Sequence, residues 1–215
     1  MPVAAPVQYP VNLVLTGKPC LVVGGGKVAL RKVQGLLACE AEVTVLAPDV
    51  HPDLAADPGV RVLQRPYVEG DAARGRPPYR LVITATDEAA VNQQVHDDAD
   101  AAGIWVNSAD DPERCTFTLP AVVRNGPLML TVATGGHSPA LAAHLKARLA
   151  EEYGGVDYRT LVQLLEEARS SLHAEGRTTE GLAWQTALDS DMLSLIRGGR
   201  ISEARDRLKT CLSSS

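Results

Sequence analysis

Apolar and polar positions follow two different patterns along the first half of the chain. Five short runs rich in Val, Ile and Leu are typical of strands buried in a parallel sheet, and they lie at 19–23, 43–46, 60–64, 81–85 and 104–107. Between them, segments 28–38 and 88–102 repeat apolar residues every three or four positions, which indicates amphipathic helices. Strands that alternate with helices predict an α/β fold built on a Rossmann-like, doubly wound parallel sheet. We expect 69–78, with its Gly, Arg and Pro residues, to be an irregular surface connection.

The pattern changes after residue 115. Extended segments at 116–120 and 128–134 flank Arg124-Asn125-Gly126-Pro127, and Asn-Gly is a strong hairpin signal, although Pro127 argues against a simple two-residue turn. A hairpin outside the main sheet would expose an edge, so we expect it to pair with a second copy in a homodimer.

Four helices are predicted in the rest of the chain, at 138–152, 158–173, 182–196 and 202–212. Ser138 is the expected cap of the first helix, with Pro139 in its first turn. The predicted organisation is a Rossmann domain at 1–115, a small dimerisation hairpin region at 116–148 and a C-terminal helical region at 149–215.

The first strand leads into Gly24-Gly25-Gly26-Lys27-Val28-Ala29, the most informative stretch of the chain. Small residues at Gly24, Gly26 and Ala29 match the spacing of the G-x-G-x-x-G/A dinucleotide fingerprint. Gly24 would allow the sharp turn, Gly26 the approach of a pyrophosphate, and Ala29 the close packing of the helix on the strand. The first-turn N–H groups of that helix would then face the phosphate charge. We therefore predict a bound dinucleotide; a plain glycine-rich turn is the alternative.

Composition argues against several classes of protein. The formal net charge of −5, without a basic stripe, argues against nucleic-acid binding. There is no run of about 18 apolar residues and no signal-peptide pattern, so we expect a cytoplasmic protein that contacts no membrane. No zinc site is predicted, because the cysteines lack the spacing of metal ligands; they are Cys20, Cys39, Cys115 and Cys211. Residues that could bind another metal stay unknown.

Two loops at the ends of later strands carry polar candidates. Thr86-Asp87 follows the fourth strand, and 107–113 follows the fifth with three carboxylates, Asp110, Asp111 and Glu113. Ligands gather at the carboxyl ends of parallel strands, where a carboxylate could act as a general base or bind a divalent cation. A solvated acidic turn that caps nearby backbone groups is the alternative.

Another candidate segment runs from 134 to 142. Its two glycines before a capped helix are typical of an anion-binding nest, where His137 could titrate near neutrality. His144, Lys146 and Arg148 add a basic character that suits a ligand with carboxylates. The alternatives are a solvated helix face for the basic residues and a structural role for His137.

The end of the second strand bears on the choice of cofactor. The acidic residue that usually grips the adenosine ribose is missing, and the strand runs into Ala47-Pro48-Asp49. Asp49 could substitute for it. No basic residue stands there to bind a 2′-phosphate, which favours NAD, although the rule leaves NADP open.

These motifs, in this order, resemble the precorrin-2 dehydrogenase/sirohydrochlorin ferrochelatase family, the dehydrogenase–chelatase part of siroheme synthase. The likeness covers about residues 9–150, and its matching stretches are 21–29, 31–32, 43–48, 85–87, 91–92, 106–112, 117, 120, 126–128 and 134–142. The triple glycine together with Thr-Gly-Gly-x-Ser-Pro-Ala-Leu-Ala is specific, and neither motif alone would be.

The resemblance implies NAD-dependent oxidation of precorrin-2 to sirohydrochlorin and, in many members, insertion of ferrous iron as a substrate to give siroheme. It also implies a homodimer, and it places the family's key aspartate on Asp110, as catalytic base. The implied cofactor-binding residues are Gly24, Gly25, Gly26, Lys27, Val28, Pro48, Asp49 and Thr86. The expected substrate-binding residues are Asn107, Thr134, Gly135, Gly136, His137 and Ser138.

Three positions depart from the family pattern. Ser108-Ala109 replaces the usual Val-Val before the key aspartate, and His137 stands where threonine or another small residue is common. Because all three lie at the expected substrate site, two alternatives stay open: a same-fold dehydrogenase or chelatase for a related specialised ligand, and a non-catalytic dinucleotide-sensing Rossmann module. Retention of the chelatase activity is also open.

Overall fold

The computed structural model describes residues 7–109 and 111–213. The chain folds as two compact units that meet in sequence between Leu119 and Pro120. The three regions expected from the sequence, with boundaries at 115 and 148, stay a prediction. Among the described residues, no helix combines the length and apolar character needed to cross a membrane.

A five-stranded parallel sheet forms the centre of the first unit. Its strands are β1 (Pro19–Val23), β2 (Glu42–Ala47), β3 (Val60–Gln64), β4 (Leu81–Thr84) and β5 (Trp105–Ser108). The helices are α1 (Lys27–Leu37), α2 (Pro52–Ala55) and α3 (Ala89–Ala101). The order β3-β2-β1-β4-β5 confirms the predicted doubly wound α/β sheet, with its switch point between β1 and β4.

Apolar residues of the strands bury both faces of this sheet. Val22 packs in one core with Val33 of α1. Its neighbour Leu21 points to the opposite face and packs with Val95 of α3. Burial of such a side chain contributes roughly 1.5–3 kcal/mol, so α1 and α3 are held firmly against the sheet.

Side chains rather than a sixth strand cover the outer edge of β5. The Val106 N–H donates to Thr116 Oγ1 over 2.8 Å, and the Ser108 N–H donates to Cys115 Sγ over 3.2 Å. The Thr116 N–H returns a bond of 2.9 Å to the Val106 carbonyl. The edge is therefore satisfied within the chain, which removes a template for strand addition at these positions.

The connection between β3 and β4 is for the most part the irregular, exposed segment that its composition predicts, but a short turn of it enters the interior. Asp71 and Ala72 are buried in a turn of 3₁₀ helix. Arg65 holds the Asp71 carboxylate with two hydrogen bonds, of 2.6 and 3.0 Å. Tyr67 donates to Asp98 of α3 over 2.6 Å. The prediction was therefore wrong for Asp71 and Ala72, where paired charges let a polar turn enter the interior.

The second unit begins with an antiparallel hairpin of β6 (Ala121–Asn125) and β7 (Leu128–Val132). The expected first strand at 116–120 was wrong: Thr116 is bonded to β5, and strand pairing starts after Pro120. The turn is also simpler than expected, because Asn125 pairs with Leu128 across two residues. Gly126 provides the positive φ, +61°, that this connection uses.

Helices complete the second unit: α4 (Pro139–Tyr153), α5 (Val156–Ala174), α6 (Trp184–Leu188), α7 (Met192–Arg197) and α8 (Ile201–Ser213). The single helix predicted at 182–196 was wrong, because it breaks between α6 and α7. There Ser190 donates its hydroxyl to the Ala187 carbonyl and accepts the Met192 N–H, replacing helical bonds. Leu164, Met192 and Leu208 are among the residues that form the core of these helices.

Candidate active site

Gly24 marks the point where β1 turns towards α1, at φ +122°. A Cβ on this residue would lie 2.2 Å from the Ala85 carbonyl oxygen, closer than any side chain could tolerate. The Gly24 N–H donates to the Leu46 carbonyl over 3.0 Å, while Ala85 N–H donates to Val23 over 2.7 Å. The turn therefore fits against the ends of both neighbouring strands only as glycine.

Gly25 and Gly26 have different surroundings. A Cβ on Gly25 would lie 2.0 Å from the Asp49 carbonyl, and its own carbonyl accepts the His51 N–H over 2.8 Å. Gly26 is exposed, and a Cβ there would meet no atom within 4 Å. Gly25 is thus a packing requirement that the fingerprint alone did not reveal, whereas Gly26 faces open space.

This open space fits a pyrophosphate. Gly26 is the residue before α1, and no side chain caps the N-terminus of that helix. Its first turn contains no acidic residue that would repel an anion. Uncapped N–H groups and the positive end of the helix dipole favour a phosphate at this place. Lys27, at the first helical position, is exposed on the same turn.

Thr86 lies in the loop after β4 that touches Gly24. Its hydroxyl accepts the Glu88 N–H over 2.9 Å, and its carbonyl accepts Asn92 Nδ2 over 2.9 Å. Asn92, in the first turn of α3, was part of the recognised motif but not of the expected site. Its Oδ1 is buried without a hydrogen-bond partner among the described residues.

Pro48 and Asp49 lie exposed at the end of β2, next to Gly25. Gln64, at the end of β3, donates Nε2 to the Pro48 carbonyl over 3.2 Å. The loops after β1, β2 and β4 are therefore brought together at one edge, as expected of a switch-point site. Sequence reasoning missed Gln64 because nothing in its local pattern marks it.

Asn107, at the end of β5, is buried and uses both ends of its amide within the protein. Its Oδ1 accepts Lys32 Nζ over 3.4 Å, and its Nδ2 donates to the Phe117 carbonyl over 3.0 Å. Ser108 Oγ accepts the Thr84 hydroxyl over 3.1 Å in the interior. Polar residues at the end of β5 thus tie this strand to α1, β4 and the segment at 115–117.

Residues 108–115, which we call the acidic loop, follow directly. Asp110, the expected base, lies outside the described residues. Asp111 pairs with Arg114, and Arg114 Nε also donates to Gln93 Oε1 over 2.7 Å. Asp111 further accepts the Glu113 N–H over 3.0 Å. The capping role considered for this loop therefore exists at Asp111. No group of three or more potential metal ligands assembles within the described parts of the chain.

The other expected substrate segment lies in the second unit. Gly135 and Gly136 have positive φ, +60° and +83°. Thr134 accepts the His137 N–H on its carbonyl and the Ser138 N–H on its hydroxyl, over 3.0 and 3.1 Å. Ser138 Oγ accepts the Leu141 N–H over 3.1 Å, which confirms it as the cap of α4. The His137 side chain is exposed.

The sheet order and the uncapped helix behind a glycine turn define a dinucleotide-binding α/β protein. A family model described as "Putative NAD(P)-binding" matches residues 11–121, more than half of the chain. The chain belongs to this NAD(P)-binding family. Its resemblance to the precorrin-2 dehydrogenase/sirohydrochlorin ferrochelatase family is confirmed by the following relatives.

Full-length relatives and a solved structure support this placement. A siroheme synthase from Nitrosococcus oceani is 38% identical over 211 residues, which are 96% of this chain and 44% of the relative. A siroheme synthase from Methylococcus capsulatus is 39% identical over 191 residues, 83% of this chain and 40% of the relative. The chain thus spans less than half the length of these relatives. The structure of SirC, precorrin-2 dehydrogenase, matches with a TM-score of 0.68 at 28% identity, over 93% of this chain and 100% of that one.

Proposed function

We propose that this chain catalyses the NAD-dependent dehydrogenation of precorrin-2 to sirohydrochlorin and also inserts ferrous iron into that product. The observation that carries the proposal is the open glycine turn at the switch point of a chain whose fold matches all of the SirC precorrin-2 dehydrogenase chain. The siroheme synthases among its relatives favour the chelation step, because siroheme is the iron-containing product.

The glycine turn and the loops beside it would hold the cofactor. Backbone N–H groups of Gly26, Lys27 and Val28 would bind the pyrophosphate at the head of α1. Pro48-Asp49, packed beside Gly25, would face the adenosine ribose, and Thr86 would contact the remainder of the dinucleotide. When bound, oxidised NAD supplies the acceptor for a hydride.

The dehydrogenation removes one hydride and one proton from precorrin-2, and we assign the proton to Asp110. A carboxylate at the end of a strand beside the cofactor can act as a general base. Chelation releases two pyrrole protons as ferrous iron enters the macrocycle, and the acidic loop would accept them. The bonds of Ser108 and Asp111 support this role, since they fix the loop on both sides of residue 110.

Asn107 in the first unit and 134–138 in the second unit are each proposed as substrate-binding residues. The glycine pair and the basic residues of α4 suit the carboxylates of a tetrapyrrole. Asn107 would act by holding β5 and the acidic loop in place, because both ends of its amide are engaged in the protein.

We also propose that the chain functions as a homodimer through the hairpin and α4. Only Val123 and Asn125 of the hairpin strands are buried, and α4 buries none of its residues. A fifteen-residue helix with Leu141 at 48% exposure lacks the apolar cover that stabilises such a helix. A second copy, related by a twofold axis, would supply this cover.

The enzymatic proposal is tested by anaerobic incubation with precorrin-2 and NAD, following NADH formation and the sirohydrochlorin spectrum. Asp110→Asn should abolish oxidation and leave the Kd for NAD within about twofold of wild type, because the base is lost and the cofactor turn is intact. Glu113→Gln, in the same exposed loop, is the matched control and should retain the rate. A wild-type dimer that binds NAD without turning over precorrin-2 would refute the proposal.

The chelatase and dimer proposals need separate measurements. Addition of ferrous iron to sirohydrochlorin should give the siroheme spectrum faster with protein than without it.

Sedimentation should report a dimer for wild type and a monomer for Leu141→Glu. Leu188→Glu, at a comparably exposed leucine on α6, should remain a dimer. If Leu141→Glu and Leu188→Glu sediment alike, the proposal that α4 forms the dimer interface is refuted.

A further inference from the structure

The thiol of Cys115 joins the two ends of the acidic loop. Its sulfur accepts the Ser108 N–H over 3.2 Å and lies 3.5 Å from Asn107 Nδ2. Two carbonyls, of Ser108 and Asp111, each lie 3.3 Å from it as acceptors for the S–H. One half-buried side chain thus binds both the residue at which the loop starts and a residue beside position 110.

This arrangement uses a side chain where a sheet normally uses a further strand. Ser108 is the last residue of β5, and its outward N–H would otherwise lack a partner at the sheet edge. In the same way, Thr116 Oγ1 accepts the N–H of Val106, two residues earlier in β5. The direction in which the chain leaves β5 therefore depends on two consecutive side chains, Cys115 and Thr116.

We propose that Cys115 is a positioning residue for the dehydrogenation: its thiol holds Ser108 and Asp111, between which the proposed base lies in the sequence. The inference rests on the proposed function for its kinetic part alone. Effective general-base catalysis needs the base held within hydrogen-bond reach, and a displacement of about 1 Å can cost up to 10²-fold in rate.

The surroundings of residue 115 require a neutral side chain that both donates and accepts hydrogen bonds. Burial raises the pKa of the Cys115 thiol, and the Ser108 N–H and the charge of Lys32 oppose this without reversing it. The S–H is therefore retained at neutral pH and can donate to a carbonyl while the sulfur accepts an N–H. Serine preserves both functions with a shorter reach, and alanine preserves neither.

These properties define a kinetic experiment with the full chain. Cys115→Ala should lower kcat for precorrin-2 oxidation by ~10-fold or more, with the Kd for NAD within about twofold, because the cofactor turn is not touched. Cys115→Ser should recover kcat to within about threefold of wild type. Cys39→Ala, at another half-buried cysteine of the same unit, is the matched control and should keep kcat.

Amide hydrogen exchange tests the same inference without any substrate. Loss of the sulfur should raise the exchange rate of the Ser108 amide by ~10-fold or more in Cys115→Ala, and Cys115→Ser should restore most of the protection. Unchanged exchange at Ser108 in Cys115→Ala would overturn the inference, even if wild type does not oxidise precorrin-2. A kcat of Cys115→Ala within twofold of wild type would also overturn it. So would an equal loss of activity, NAD affinity and thermal stability in Cys115→Ala and Cys115→Ser.

Discussion

Lys32 Nζ donates to Asn107 Oδ1 over 3.4 Å, joining the helix that follows the glycine turn to the last strand of the sheet. Lys32 lies in α1, whose N-terminus faces the proposed cofactor, and Asn107 precedes the acidic loop. This polar contact therefore connects α1 with the end of β5, between residues 75 apart in sequence.

We expect Lys32→Met to lower the free energy of unfolding of the first unit by about 1–2 kcal/mol, because a charge-assisted hydrogen bond to a buried amide is lost. The same substitution in an Asn107→Ala background should cost less, which gives a coupling energy of about 1 kcal/mol in a double-mutant cycle. Urea denaturation of the four proteins measures this value. Additive costs would show that the contact contributes nothing.

Gly24 and Gly26 should respond in opposite ways to alanine. At Gly24, a Cβ would overlap the Ala85 carbonyl and occupy a left-handed backbone, so Gly24→Ala should destabilise the first unit by about 3 kcal/mol or more. Gly26→Ala meets no neighbouring atom and should change stability by less than about 1 kcal/mol.

NAD binding separates the two variants further. Gly26→Ala should fold normally and lose ~10-fold or more in NAD affinity, because its methyl group occupies the space assigned to the pyrophosphate. Calorimetric titration and thermal unfolding of both variants are the measurements. Wild-type affinity in a folded Gly26→Ala protein would exclude this place as the phosphate site.

The parallel sheet and the glycine turn could be predicted because both follow from local chemistry. Buried strands favour apolar runs such as 81–83, and the β1–α1 turn requires glycine where backbone approaches backbone. The alternation of strands and helices then predicted a doubly wound parallel sheet, because βαβ connections are right-handed, but it did not predict the strand order.

The residues that hold the loops could not be predicted in this way. Cys115 and Thr116 act on the edge of β5 because the chain turns back there, and no periodicity marks such a return. Asp71 reads as a surface residue until Arg65 is known to pair with it. Ser190 breaks a helix whose apolar spacing continues past it. Each depends on a partner that tertiary structure brings close.

The Asp71–Arg65 pair should make the stability of the first unit depend on pH. Burial by itself would raise the pKa of Asp71, but the bonds from Arg65 and the Val68 N–H outweigh it and hold the pKa below its ordinary value. Such a carboxylate contributes stability above its unfolded pKa and loses that contribution as pH falls through its folded pKa.

Asp71→Asn should therefore destabilise the first unit at neutral pH by about 1–3 kcal/mol, because charge-assisted bonds to Arg65 are lost. The difference from wild type should shrink as the pH falls below the usual carboxyl range, where wild type loses the same bonds by protonation. Urea denaturation across this pH range is the measurement, with Asp97→Asn on exposed α3 surface as control. A difference that is constant with pH would contradict the assignment.

Among the polar side chains described in the second unit, Asn125 should cost the most stability when it is replaced. It is 2% exposed and joins the hairpin to the link between α4 and α5. Its Nδ2 donates to the carbonyls of Tyr153 and Gly155 over 2.8 and 2.7 Å, and its Oδ1 accepts Arg159 Nε over 3.2 Å.

Asn125→Ala would leave those two carbonyls without their donor, so we expect it to lower the free energy of unfolding by about 2–4 kcal/mol. The exposed Asn12 provides the control, since Asn12→Ala should change stability by less than about 0.5 kcal/mol. If α4 also forms the dimer interface, Asn125→Ala should weaken association, because the amide fixes the C-terminal end of α4 against the hairpin. Denaturation at several protein concentrations separates these two effects: a loss of stability that is independent of concentration would confine Asn125 to the fold of its own unit.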